Sequence, residues 1–118
     1  MNDNPGIDQQ TPLSGTGCAE CLAASTGGWW FHLRRCAQCG HVGCCDQSPG
    51  QHARLHHQET GHRLIQSFEP GEDWYWDFET NDYYEGPRLA APHHHPEDQP
   101  TPGPAGAVPE NWTELLNS

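Results

Sequence analysis

A small α+β domain stapled by metal ions, with a short antiparallel sheet and one main helix, is what the sequence predicts, on three observations. Cysteines and histidines recur at ligand-like spacing: Cys18-x2-Cys21, Cys36-x2-Cys39, then Cys44, Cys45, His52, His56 and His62. Only 33% of the 118 residues are hydrophobic, and 11 prolines and 13 glycines interrupt them. A chain of this size and composition buries a modest core and needs a staple. The aromatic residues fall in short period-two runs, which suit strands better than helices.

Residues 1–16 are polar and hold almost nothing to bury, so a disordered arm is expected there. Residues 17–86 concentrate the cysteines, histidines and aromatics and form the expected domain. Trp29 to Arg34 reads as a strand entering the Cys36 knuckle. Ser48-Pro49-Gly50-Gln51 offers an N-cap serine, a proline at the first helical position and a capping-box glutamine. With Gly61 as the stop, the helix is expected over Pro49 to Thr60. Arg63 to Phe68 reads as a further strand. Trp74 to Phe78 alternates with period two and turns through Thr80-Asn81-Asp82 into Tyr83-Tyr84, a hairpin. Residues 87–118 carry seven prolines and the triplet His93-His94-His95, so a flexible tail is expected. That tail ends in Trp112, Leu115 and Leu116 at i, i+3 and i+4, one face of a short amphipathic segment. This face would either fold back on its own domain or dock on a partner.

The cysteines are read as thiolates. The first 17 residues lack the basic and apolar regions of a secretory signal, and no apolar run approaches a membrane span. A cytoplasmic chain is therefore expected, where paired cysteines bind metal more readily than they form disulfides. Zinc takes four soft or borderline ligands, and its structural sites are closed by four protein groups. Cys18, Cys21, Cys36, Cys39, Cys44, His52, His56 and His62 supply enough for two ions. Spacing leaves three pairings open. The four knuckle cysteines can share one ion, His52 and His56 can pinch one from a single helix face, or the sites can interleave. On spacing alone Cys45, adjacent to Cys44, is an alternative ligand to it, and His41 reads as a knuckle residue hydrogen-bonded to a thiolate.

Charge narrows the function classes. Sixteen acids face five bases, all arginine, for a formal charge of −11. A large basic face cannot be built, which argues against nucleic acid. Two dications add four positive charges and five thiolates five negative ones, so metal loading lowers the charge by one. Closed sites leave neither zinc an open position for water, and the sequence holds no His-Glu-x-x-His. A non-enzymatic, monomeric interaction module is expected. The alternative is a metalloenzyme or thiol oxidoreductase using an open zinc or a CxxC pair.

The run Cys36-Ala37-Gln38-Cys39-Gly40-His41-Val42-Gly43-Cys44, followed by His52-x3-His56-x5-His62, resembles the UBP-type zinc finger, and its wording resembles the small standalone bacterial members. The likeness runs from Cys18 to about Tyr84. It implies a cross-brace, with Cys18, Cys21, Cys44 and His52 on one zinc, Cys36, Cys39, His56 and His62 on the other, and Cys45 left as a spare thiol beside the site. Some members hold the free C-terminal tail of ubiquitin between aromatics and an arginine. Trp76 and Phe78 match two of those aromatics, but Asp46 stands at the arginine's position, where it would repel a carboxylate. Ubiquitin-tail binding is therefore not expected. Trp74, Trp76 and Phe78 share a strand face, with Trp29 or Trp30 expected to meet them. Glu69, Glu72, Asp73, Asp77, Glu79, Asp82 and Glu85 crowd the same stretch. A groove there would favour a protein or peptide partner carrying positive charge.

Overall fold

The computed structural model describes residues 7–24 and 28–117. Its elements are α1 (Ala19–Ala23), β1 (Leu33–Cys36), β2 (Val42–Cys44), α2 (His52–Thr60), β3 (Leu64–Ser67), β4 (Tyr75–Asp77), β5 (Asp82–Tyr84) and a terminal 3₁₀ turn, Trp112–Leu115. The strands form one antiparallel sheet in the order β2-β1-β3-β4-β5. β1 sits beside both its sequence neighbour and β3, pairing Leu33 with Cys44 and Cys36 with Ile65. This register places the cysteines that end β1 and β2 at opposite ends of the adjacent strands, with α2 lying against both.

The first strand and the main helix are shorter than their sequence patterns suggest, for local reasons. Trp30 does not enter β1. It pairs instead with Gly103 through two backbone hydrogen bonds of 2.8 and 3.0 Å, and its ring is buried against Leu33 and Phe68. The expected helix start at Pro49 is also corrected. Ser48 is fully buried, and its hydroxyl accepts from the Phe31 amide at 2.8 Å, so it fastens a loop and caps nothing. Gln51 takes a left-handed conformation (φ 47°) and α2 begins after it. The first helical amide, of His52, donates to Cys44 Sγ at 3.2 Å, so a sulfur does the work expected of the serine. The C-terminal stop is as expected: Gly61 is left-handed at φ 81°, and its amide donates to His57 carbonyl at 2.8 Å. The β4–β5 hairpin also forms, turning through Asn81 at φ 59°. Asp77 accepts from Arg63 at 2.6 Å and from the Glu79 amide at 2.9 Å across its base.

Two buried clusters form the core. Cys18, Cys21, Trp30, Leu33, Val42, Cys44 and Phe68 make the first. Ile7, Ala37, Leu64, Tyr75 and Leu89 make the second. Ile7 and Leu89 come from the segments expected to be a disordered arm and a flexible tail, so that expectation does not hold where those segments are described. Residues 1–6 lie outside the described residues. On the N-terminal side the Asp8 amide donates to Ala37 carbonyl at 2.8 Å, and Ser14 bonds both Gly40 and Val42. Gly40, at φ 79°, allows this approach, since a Cβ there would lie 1.9 Å from Pro12 oxygen.

On the C-terminal side the attachments are polar as well as apolar, and that is why composition hid them. Arg35 is 1% exposed, and among the described residues no carboxylate is bonded to it. It donates to the carbonyls of Ala90 (2.8 Å), Pro92 (3.0 Å) and Thr11 (3.2 Å), clasping both flanks to β1. His95 is 2% exposed, with Nε2 3.0 Å from Glu69, whose other oxygen accepts from the Leu33 amide at 2.8 Å. The terminal turn also folds back. Trp112 lies 5.4 Å from the Phe31 ring, and the Asn117 amide donates to Gln47 carbonyl at 2.8 Å.

Candidate metal centre

The first cluster of donor groups is built by three elements. Cys18 caps α1, with its sulfur accepting from the Cys21 amide at 3.4 Å, so one turn of helix brings both sulfurs together. Cys44 ends β2, and His52 opens α2. His52 Nδ1 lies 3.2 Å from Cys18 Sγ and 3.4 Å from the sulfurs of Cys21 and Cys44, which are 3.9 Å apart. The second cluster joins the end of β1 and the knuckle after it to His56, midway along α2, and His62, just beyond that helix. Cys39 Sγ lies 3.2 Å from His56 Nε2, and Cys36 Sγ 3.5 Å from His62 Nδ1. In each cluster of four, all ligand atoms lie within 4.8 Å of one another.

These distances can be tested against a tetrahedral ion. With sulfur at about 2.3 Å and nitrogen at about 2.0–2.1 Å from zinc, neighbouring ligands stand about 3.8 Å apart for two sulfurs and about 3.6 Å for sulfur and nitrogen. The observed 3.2–3.9 Å matches that geometry. Donor chemistry agrees. The Cys18 thiol is pushed down to about 2 because its thiolate accepts hydrogen bonds from Cys21 and then Cys44. Loss of those same bonds pushes Cys21 up, and pushes Cys44 up to about 12. Burial pushes Cys36 up to about 11. Three sulfurs packed this closely cannot all ionise without a cation, so metal entry displaces protons. Burial, then the neighbouring His41 and His62, lowers His56 to about 4, which keeps its ring neutral and able to donate to a metal.

The geometry chooses among the pairings left open by spacing. The four knuckle cysteines do not meet, and His52 and His56 reach different clusters although they are one helical turn apart. The arrangement interleaves. Cys45 belongs to neither cluster, and its sulfur lies 3.5 Å from the Ser48 hydroxyl. His41 differs from expectation. Its Nε2 meets both Glu20 oxygens, at 2.8 and 2.9 Å, and its ring stacks on His56. The triplet diverges, with His93 against Leu89 carbonyl and His95 against Glu69.

Trp76, Phe78 and Asp46 do come together, lining one groove of about 230 Å³ with Trp74, Tyr83, Ile65 and Arg34. Trp74, Trp76 and Phe78 share that face as period two requires, and Tyr83, opposite Trp76 in the register, sets its ring edge-on at 5.1 Å. Neither Trp29 nor Trp30 joins them. The charge around the groove also differs from expectation, because none of the seven acids of residues 69–85 lines it. Asp77 turns to Arg63, Glu69 to His95 and Glu72 to the Ser67 hydroxyl. Arg34 lies over the Trp74 ring at 4.6 Å. Asp46 is not free: Arg54 holds it through two hydrogen bonds of 3.0 and 2.5 Å and lies over Phe78 at 5.0 Å. Sequence spacing carried no sign of this pair, which spans a loop and the first turn of α2.

Comparison with known proteins agrees with this geometry. A solution NMR structure of a Rhodopseudomonas palustris protein is similar to this chain, with 40% identity and a TM-score of 0.59 over 79% of this chain and 86% of that one. No curated protein matches. Residues 18–89 match the family described as the zinc finger in ubiquitin hydrolases and other proteins, and this span holds all eight clustered ligands. The chain belongs to that zinc-finger family.

Proposed function

We propose that the protein is a non-enzymatic interaction module whose fold is held by two zinc ions. Cys18, Cys21, Cys44 and His52 hold one, and Cys36, Cys39, His56 and His62 the other. The observation that carries this is the convergence of four protein donors in each cluster, all within 4.8 Å of one another. Such sites hold zinc as a structural ion, with its charge neutralised by thiolates and no position kept for a reacting water. The ions tie the loop before β1, the ends of two strands and α2 into one unit, so their binding free energy becomes folding free energy.

The binding surface is the aromatic groove of Trp74, Trp76, Phe78 and Tyr83, and its ligand is a peptide segment of a partner protein. Flat rings offer apolar area to such a segment, while Arg34 and the Asp46–Arg54 pair fix its orientation by hydrogen bonds. The pair engages the fork of Arg54 internally, so the free carboxylate of a ubiquitin tail finds no vacant fork there. The test is an NMR titration of the zinc-loaded protein with ubiquitin, and separately with basic and neutral peptides. Peptide-induced shifts confined to the groove residues, with ubiquitin silent at the same concentration, support the reading. Tight ubiquitin binding that depends on its terminal carboxylate would overturn the specificity, and hydrolytic turnover would overturn the module itself.

A further inference from the structure

We propose that Glu20 and His41 form a positioning bridge between the two metal sites, with His41 orienting the His56 ligand and Glu20 anchoring His41 to the helix that carries the first site. The inference rests on the two-zinc reading. Glu20 lies between the ligands Cys18 and Cys21, on α1. Both of its oxygens meet His41 Nε2, at 2.8 and 2.9 Å, so the ring donates this proton into the fork of the carboxylate. His41 follows the knuckle of the second site, and its carbonyl accepts from the Cys36 amide at 2.7 Å. Its ring lies parallel to that of His56, with centroids 4.1 Å apart and planes at 7°. His62 also meets His56, edge-on at 5.3 Å. A continuous path of contacts thus runs from the first site, through Glu20 and His41, to a ligand of the second.

Two physical effects follow. The stacked face fixes the tilt of the His56 ring, which otherwise turns about its side-chain bonds, so Nε2 is held towards Cys39 before metal arrives. A carboxylate hydrogen-bonded to Nε2–H also makes the His41 ring electron-rich. A metal-bound imidazole is electron-poor, so the stack strengthens when the second site fills. No comparable partner stacks on the His52 ring among the described residues, so the stacking acts on one site, while Glu20 Oε1 also lies 3.9 Å from Cys18 Sγ of the other.

Cobalt(II) is the probe. Metal-free protein is titrated against a competing chromophoric chelator, and the two sites are separated by the stronger thiolate-to-cobalt absorption of the three-cysteine site. The wild type takes up two equivalents. His41→Ala weakens the two-cysteine step roughly tenfold, the order found for partners that orient metal ligands; Glu20→Ala, which keeps the stacked ring, weakens it less, and both leave the three-cysteine step within about twofold. Glu20→Gln, which keeps an acceptor without the charge, falls between the wild type and Glu20→Ala. The double variant is no weaker than His41→Ala, because that substitution already removes the contact through which Glu20 acts. His41→Phe keeps a stacked ring without the hydrogen bond and serves if the alanine variants do not fold. It is expected to weaken the same step less than His41→Ala. Equal weakening of both steps, no change in the second, or additive losses in the double variant would overturn the bridge. Fewer than two equivalents in the wild type would overturn the two-zinc reading instead.

Discussion

Replacing Leu89 with alanine tests whether the proline-rich stretch after residue 86 belongs to the domain. Leu89 is 2% exposed and sits among Ile7, Ala37, Leu64 and Tyr75. The substitution removes three carbons, worth about 2.4 kcal/mol at about 0.8 kcal/mol for each buried methylene. A residual cavity adds to this, and such changes in packed cores cost about 2–5 kcal/mol. The site lies where two irregular segments meet the sheet, and these can close partly over a void. A loss of about 3 kcal/mol is therefore expected. Urea unfolding at a fixed excess of free zinc measures it, since stability moves with ligand concentration. If residues 87–117 were a free linker, the variant would match the wild type. A difference below about 0.5 kcal/mol would refute the reasoning.

Two further outcomes separate ligands from neighbours. Cys39→Ser is expected to lose the second metal despite the exposure of Cys39, whereas Cys45→Ser keeps both, as metal analysis of the purified variants will show. The reverse pattern would mean that the donor sets are wrong. The Arg63 guanidinium holds the Asp77 carboxyl below its ordinary range, so the stability this group contributes is present above about pH 4 and lost as pH falls through the depressed value. The deficit of Asp77→Asn in unfolding free energy should then stay constant from pH 8 to pH 5. A deficit that changes steadily across this window would contradict the assignment.

The ligands were legible because zinc chemistry limits both residue type and spacing, and two knuckles followed by ordered histidines leave little room for coincidence. Their pairing was not, because His52 and His56 share a helix face and only the three-dimensional position of that helix sends them to different clusters. The hairpin and the Gly61 stop were readable from local chemistry. The start of α2 was not, because the Ser48 hydroxyl had a competing use as acceptor for Phe31 and Cys44 sulfur served the helix instead. Composition misjudged both flanks for one physical reason. Segments poor in apolar residues can still be fixed by backbone groups, and Arg35 and Trp30 bind carbonyls and amides that carry no mark in the sequence. The acids near the groove misled similarly, since a strand alternates its faces and hairpin turns carry side chains away from them.

The central claim is that two closed zinc sites hold this fold, and native mass spectrometry of the purified protein tests it most directly. The expected mass exceeds that of the fully reduced chain by two zinc ions less the protons they displace, with both ions and the folded charge distribution lost together on chelation. A chain carrying fewer than two metals while remaining folded, or one whose cysteines are joined in disulfides, would contradict it.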